Sequence, residues 1–79
     1  MAFKRIELGH RVWAKMRQRG LTKRDVREVL ALGVPVPVET LHGERRLGKV
    51  HRLRGRRHLL VYIERQHDIT IVSFHQRRK

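Results

Sequence analysis

The side chains best suited to chemistry in this sequence are its six histidines and fifteen arginines. Cleavage of an RNA phosphodiester without a metal needs a base near the 2′-hydroxyl, an acid near the leaving oxygen and a cation on the phosphate. Histidine titrates close to neutrality and suits the first two roles, whereas arginine or lysine suits the third. The sequence therefore contains every residue type that this reaction requires. The histidines occupy positions 10, 42, 51, 58, 67 and 75.

Three of these histidines are expected to gather at one end of a sheet. His51 and His58 flank a predicted turn, and His75 ends a later strand, so an antiparallel meander brings His58 and His75 to the same end. With Arg77 they form a candidate catalytic cluster of His51, His58, His75 and Arg77. Tyr62 is a weaker candidate, nearer the middle of its strand. The alternative is that these histidines only contact phosphate or are solvated, because arginines flank them.

The pattern does not predict a metal site or a cofactor. The histidines lack the H-x-x-x-H spacing, the chain has no cysteine to add a ligand, and so basic a surface repels cations. His10 is expected to orient the first helix or to meet the sheet rather than to act as a base.

The charge of the chain predicts an anionic partner. Twenty basic residues oppose seven acidic ones, giving a net charge of +13 and a pI near 11.8. The arginine excess favours phosphate, because a guanidinium presents a planar fork of donors. An acidic protein, an anionic membrane or an arginine-rich solvated surface are the alternatives. Four aromatic residues are too few to predict base reading by stacking. The predicted nucleic-acid-binding residues are Arg52, Arg54, Arg56, Arg57, Arg77, Arg78 and Lys79.

Two short helices are predicted between residues 10 and 33. Trp13 and Met16 belong to the apolar stripe of the first helix and are assigned to the core, although Trp13 could instead meet a partner. Gly20 ends that helix, and Arg19 is expected to bond the carbonyls at its end. The second helix begins with a capping box at Thr22 and ends at Gly33.

The remainder of the chain predicts strands. Pro35 and Pro37 confine a strand at 36–41 to a sheet edge. Strands at 45–53, 58–64 and 69–74 follow, with Gly48 marking a bulge or a close approach to another backbone. The order is a short strand, two helices and a four-stranded antiparallel meander, which is an α+β fold in one domain of residues 1–79.

The sequence also bears on location. It has no stretch typical of a signal peptide, and the apolar run at 59–63 is far too short to span a bilayer. We therefore expect a soluble, cytoplasmic protein that does not act at a membrane.

Residues 16–26, Met-Arg-Gln-Arg-Gly-Leu-Thr-Lys-Arg-Asp-Val, with His10 six residues upstream, resemble the signature of an uncharacterised bacterial domain family. The likeness covers residues 10–33, about a third of the chain. That family has a RelE/ParE-like fold, the small toxin architecture of one strand, two helices and an antiparallel sheet. Lys15 stands where the family often has Arg, and the C-terminal strand departs from the family pattern. No catalytic residue is carried over by position.

The resemblance and the charge together predict an RNA-binding, toxin-like protein of a toxin-antitoxin type system, with metal-independent endoribonuclease activity on RNA or ribosome-bound mRNA. Two alternatives remain open. One is a non-catalytic nucleic-acid-binding module, and the other is an interaction module for an acidic, antitoxin-like protein.

Overall fold

Two helices and five strands make up the computed structural model, which describes residues 4–77. The coarse prediction of an α+β chain with a short first strand and two helices is confirmed. The elements are β1 (Arg5–Leu8), α1 (His10–Gln18), α2 (Lys23–Leu32), β2 (Val34–Val36), β3 (Leu47–Leu53), β4 (Arg56–Glu64) and β5 (Asp68–Gln76).

The two helices are separated where the sequence predicts it, by the glycine that ends α1 and the N-terminal cap of α2. Gly20 has a φ of +70°, in the left-handed region that glycine adopts without strain, so α1 cannot continue through it. Thr22 then caps α2: its hydroxyl accepts from the Asp25 amide at 3.2 Å, and the Asp25 carboxylate accepts from the Thr22 amide at 2.9 Å. This reciprocal pair is the predicted capping box.

The sheet is mixed, which corrects the prediction of a purely antiparallel one. Its order is β1-β5-β4-β3-β2, and the four strands β2 to β5 form the expected antiparallel meander. β1, however, lies parallel to β5, from Arg5 beside Asp68 to Leu8 beside Ile71. Since β1 has four residues and β5 has nine, no strand among residues 4–77 pairs with residues 72–76 of β5 on that side. α1 follows β1 after Gly9 and lies beside this unpaired half of β5.

Several local features of the strands differ from their predicted positions. β2 covers 34–36 instead of 36–41, with Pro35 on the sheet edge, where its missing amide donor is tolerated. The register shift falls between Val61 and Tyr62 of β4 rather than at Gly48. Gly48 instead accommodates a close approach, because an added Cβ would lie 2.7 Å from Val38 Cγ1.

The core lies between the helices and one face of the sheet. It consists of Met16, Leu21, Val26, Val29, Leu53, Leu60, Tyr62, Ile71 and Phe74. The prediction of Met16 as core is confirmed, but Trp13 is 39% exposed and its assignment to the core is wrong. α1 covers the edge of β5 with the side that carries Val12 and Met16, and Trp13 falls outside that contact.

In residues 4–77, neither helix is long and apolar enough to cross a membrane.

Candidate functional site

Strand register decides which of the predicted histidines lie together. His51 pairs directly with His58 across β3 and β4, and His58 pairs with Gln76 across β4 and β5. His75 pairs with Leu59, one residue along, so strand alternation directs its side chain to the other face. His58 and His75 nevertheless line one shallow depression at the end of β5, here called the β5-end depression. Its lining residues are Arg19, His58, His75 and Gln76.

His51 is held away from this depression by the second helix. Its Nε2 lies 2.9 Å from Glu28 Oε2 on α2, and its side chain is about a fifth exposed. The neighbouring Lys49 also reaches α2, donating from Nζ to the Leu30 carbonyl at 2.6 Å. The side chains of Lys49 and His51 therefore connect β3 to α2. The structure does not bring His51 into hydrogen-bonding contact with His58 or His75.

His58 is buried, with 8% of its surface exposed, and its orientation is fixed by two contacts. Its Nδ1 lies 3.0 Å from the Arg56 carbonyl, and its ring meets that of Phe74 edge-on with centroids 5.9 Å apart. A carbonyl oxygen only accepts, so Nδ1 carries the proton of that hydrogen bond. Nε2 is then the ring nitrogen that remains available to a bound molecule.

His75 is half-buried and sits among cations. Burial lowers the pKa of His75 below the ordinary value of 6.5, and the charges of Arg19 and His58 lower it further. Its imidazole is therefore neutral at neutral pH. A neutral imidazole beside a cationic group is the form that accepts a proton in general base catalysis.

Arg19 is the residue of this depression whose role the sequence misassigned. It was expected to bond the carbonyls at the end of α1, but its Nη1 donates to the Phe74 carbonyl at 2.9 Å. The correction follows from topology, because α1 ends beside the unpaired half of β5, whose outward carbonyl needs a donor. Arg19 thus places its guanidinium one residue from His75.

A second basic feature adjoins this depression. Arg11, Lys15 and Arg19 recur every four residues, which puts Arg11 and Lys15 on one side of α1 and continues the series at Arg19, the residue that caps the helix. All three line a cleft between α1 and residues 72–75 of β5, together with Ser73. We call this the α1–β5 cleft. The four-residue spacing was visible in the sequence, but the strand that faces it was not.

The predicted binding arginines divide into two groups. Arg54 and Arg56 have protein partners: Arg54 donates to Asp25 Oδ2 at 3.2 Å and to the Gly20 carbonyl at 3.4 Å, and Arg56 donates to Gln76 Oε1 at 3.4 Å. Arg78 and Lys79 lie outside the described residues.

The other three predicted arginines form a row across the open end of the sheet. Arg52 is the direct cross-strand partner of Arg57, and the Arg77 amide donates to the Arg57 carbonyl at 2.9 Å. All three are exposed, and none forms a side-chain hydrogen bond or ion pair within residues 4–77. Like charges directly opposite each other destabilise a sheet. This arrangement, here called the arginine row, therefore favours an anion lying across it.

The acidic residues do not neutralise these surfaces. Six of the seven acids are within ion-pairing distance of lysine, arginine or histidine side chains elsewhere on the described chain. Asp25, which pairs with Arg54, has the least exposed side chain of these six acids. Burial alone would raise the pKa of Asp25, but the hydrogen bonds from Arg54 and Thr22 and the charge of Arg54 together hold it below 3.8.

Among residues 4–77 there is no group of three or more histidine, cysteine, aspartate or glutamate side chains placed to hold a metal ion.

Comparison with protein-family models, with curated proteins and with solved structures found no match to the chain.

Proposed function

We propose that this protein binds single-stranded RNA and cleaves it without a metal ion, as a toxin-like endoribonuclease. The observation that carries the proposal is His75, a half-buried histidine with a lowered pKa, beside Arg19 and His58 in one depression. These three groups supply the base, the phosphate cation and the acid from the chain itself.

In the proposed reaction, neutral His75 removes the proton from a ribose 2′-hydroxyl. The 2′-oxygen attacks the adjacent phosphorus while the bond from phosphorus to the 5′-oxygen breaks. His58, protonated at Nε2, donates a proton to the departing 5′-oxygen. The products are a 2′,3′-cyclic phosphate and a free 5′-hydroxyl. Arg19 stabilises the charge that develops on the non-bridging oxygens.

The arginine row supplies the binding surface in this proposal. Arg77 is two residues from His75 and continues the backbone ladder that joins β5 to β4. A phosphate chain lying across Arg52, Arg57 and Arg77 therefore passes directly beside the β5-end depression. The contacts are to phosphate, so binding depends on salt and little on base sequence.

The resemblance of residues 10–33 to a family with a RelE/ParE-like fold agrees with this proposal. The resemblance implies a relation to small toxins, some of which act on ribosome-bound mRNA. The shared coarse architecture is one strand, two helices and a sheet.

The test is cleavage of a 5′-labelled single-stranded RNA in EDTA, with and without ribosomes. We expect products ending in a 2′,3′-cyclic phosphate, and a loss of about 10²- to 10⁴-fold in rate for His75→Gln. His67→Gln is the matched control, because His67 is exposed in the turn at the other end of β5. Absence of cleavage both with and without ribosomes would refute the enzymatic part of the proposal.

A non-catalytic nucleic-acid-binding module is the second candidate. It is favoured by the arginine row, which forms a binding surface without any contribution from histidine. This alternative predicts RNA binding that weakens steeply with salt and is unchanged in a His58→Gln, His75→Gln double variant, with no cleavage product at any salt concentration.

A further inference from the structure

The α1–β5 cleft carries positive charge that the proposed reaction does not use. Arg11 and Lys15 line it from α1, and both are exposed. Within residues 4–77 neither side chain forms an ion pair. The cleft encloses about 190 Å³, and Ser73 and His75 line it from β5. Its cations are therefore placed to meet an anion that enters from solvent.

The opposite wall of the cleft is the open edge of β5, which supplies hydrogen-bond donors. The Arg77 amide bonds the Arg57 carbonyl, and such hydrogen-bonded pairs alternate along antiparallel strands, so Phe74 points away from β4. The bond from Arg19 to the Phe74 carbonyl has the same direction. Since one strand residue directs its amide and carbonyl to the same side, the Phe74 amide faces the cleft, where the Ser73 hydroxyl adds a second donor. Cations on one wall and donors at a sheet edge on the other suit an anion.

The spacing of the cations matches a chain of phosphates. Arg11, Lys15 and the capping residue Arg19 lie four residues apart, which is about 6 Å along a helix, so the series spans about 12 Å. A stacked nucleic-acid strand rises about 3.4 Å per nucleotide, so this length corresponds to about three nucleotides.

The two histidines of the β5-end depression determine the direction of such a strand. His75 lines both the depression and the α1–β5 cleft, whereas His58 lines the depression and not the cleft. In the proposed reaction His75 meets the 2′-hydroxyl, which belongs to the nucleotide on the 5′ side of the broken bond. His58 meets the departing 5′-oxygen of the nucleotide on the 3′ side. The 5′ segment therefore lies toward the cleft, and the 3′ segment lies toward Arg57, which precedes His58 in β4 and belongs to the arginine row.

We propose that the α1–β5 cleft binds the phosphates of about three nucleotides on the 5′ side of the scissile bond, while the arginine row binds those on the 3′ side. This inference rests on the proposed function, because it takes the scissile phosphate to lie between His75 and His58. It specifies the substrate as an internal position of a single strand. A bond next to a 5′ end leaves the cleft empty and is a poor substrate.

The test uses DNA oligonucleotides that each contain a single ribonucleotide, so that only one bond has the 2′-hydroxyl needed for cleavage. One series lengthens the 5′ segment and keeps the 3′ segment fixed, and a second series does the opposite. We expect KM to fall about tenfold as the 5′ segment grows to about three nucleotides, and to stay constant beyond that length. The value of kcat should change little, because a phosphate contact away from the reacting atoms is equal in the ground and transition states.

Variants of the cleft assign this effect to its two unpaired cations. Arg11→Gln combined with Lys15→Gln should reduce the gain from 5′ lengthening to less than about twofold and leave the gain from 3′ lengthening intact. Arg17→Gln combined with Arg24→Gln is the matched control, because these exposed helix arginines line neither the cleft nor the arginine row. Equal effects of the two double variants, or loss of the 3′ gain in the cleft variant, would overturn the proposal.

Photocrosslinking tests the direction of the strand without any cleavage. A 2′-O-methyl RNA of about seven nucleotides, about three on each side of a central one, lacks the attacking hydroxyl and carries 4-thiouridine at its 5′ or its 3′ end. It is irradiated with the full chain, and mass spectrometry identifies the attached peptide. We expect the 5′ label on α1 and the 3′ label on the hairpin of β3 and β4.

The two proposals fail in different ways. Reversed labelling, or equal labelling of both segments from both ends, would overturn the assignment of the cleft in a protein that still cleaves RNA. The expected labelling in a protein that cleaves no RNA would support the cleft as the site of the 5′ segment and refute the nuclease activity.

Discussion

The arginine row makes the most direct prediction about RNA binding. Replacing Arg52, Arg57 and Arg77 together with glutamine keeps polar side chains at these positions. It removes two positive charges from β3 and β4 and a third from the residue that follows β5. In the native protein these side chains have no acidic partner within residues 4–77. If they bind phosphate, the triple variant should lose affinity for RNA but not stability.

The magnitude follows from counterion release. Each phosphate contact to a single strand contributes about 0.7 to the slope of log K against log salt concentration. Loss of three contacts should therefore reduce that slope by about 2. The free energy of unfolding should stay the same or rise, because the substitution removes repulsion between directly opposed like charges.

The assay is a titration of labelled single-stranded RNA at several salt concentrations, with urea unfolding measured in parallel. A matched triple variant of Arg17, Arg24 and Arg45 to glutamine changes the net charge equally at exposed positions outside the row. Equal reductions of the slope in the two triple variants would refute the row as a binding surface. Marked destabilisation of the first variant would refute the view that its arginines serve binding rather than folding.

Three further predictions concern the depression, the helix junction and β3. The acid limb of the rate profile for RNA cleavage should lie below pH 6.5, because the pKa of His75 is lowered; a limb above 6.5 would contradict its role as the base. The folded pKa of Asp25 is below its unfolded value, so its contact with Arg54 stabilises the fold above about pH 4 and the effect is lost as pH falls further. Urea unfolding from pH 3 to 7 should accordingly show a smaller pH dependence for Asp25→Asn than for the native chain. Gly48→Ala should lower the free energy of unfolding by about 1–3 kcal/mol, because the new Cβ would lie 2.7 Å from Val38 Cγ1, and an unchanged urea midpoint would contradict this.

The features that sequence predicted well are those determined by neighbouring residues. The capping box at Thr22 and the glycine at the end of α1 are both local signals, and both are confirmed. The turn around Gly55 is local in the same way: Arg54 and Gly55 both have positive φ, as a two-residue hairpin turn of the primed type requires. Such signals also predicted the meander, since each hairpin joins consecutive strands.

The features that sequence missed depend on contacts between distant segments. Nothing in residues 5–8 indicates that β1 joins β5 in parallel, yet this pairing leaves half of β5 open to α1. Arg19 donates to the carbonyl of Phe74, which is 55 positions away in sequence. The prediction from neighbouring residues was that Arg19 would bond the carbonyls at the end of its own helix. The exposure of Trp13 follows from the same placement of α1, because the helix covers an edge rather than the centre of the sheet.

The distribution of charge argues against a surface that is basic only through compositional bias. Acidic side chains of α2 connect this helix to the sheet. Asp25 binds Arg54 in the β3–β4 turn, and Glu28 binds His51 of β3. A general excess of arginine would scatter the remaining cations over the surface without regard to strand register. Instead, Arg52 and Arg57 face each other across β3 and β4, and Arg77 follows directly after β5. Arg11, Lys15 and Arg19 line the α1–β5 cleft, which also contains His75. Since aligned like charges cost the folded state energy, their alignment near His75 favours an anion bound across them, as the proposed RNA binding requires.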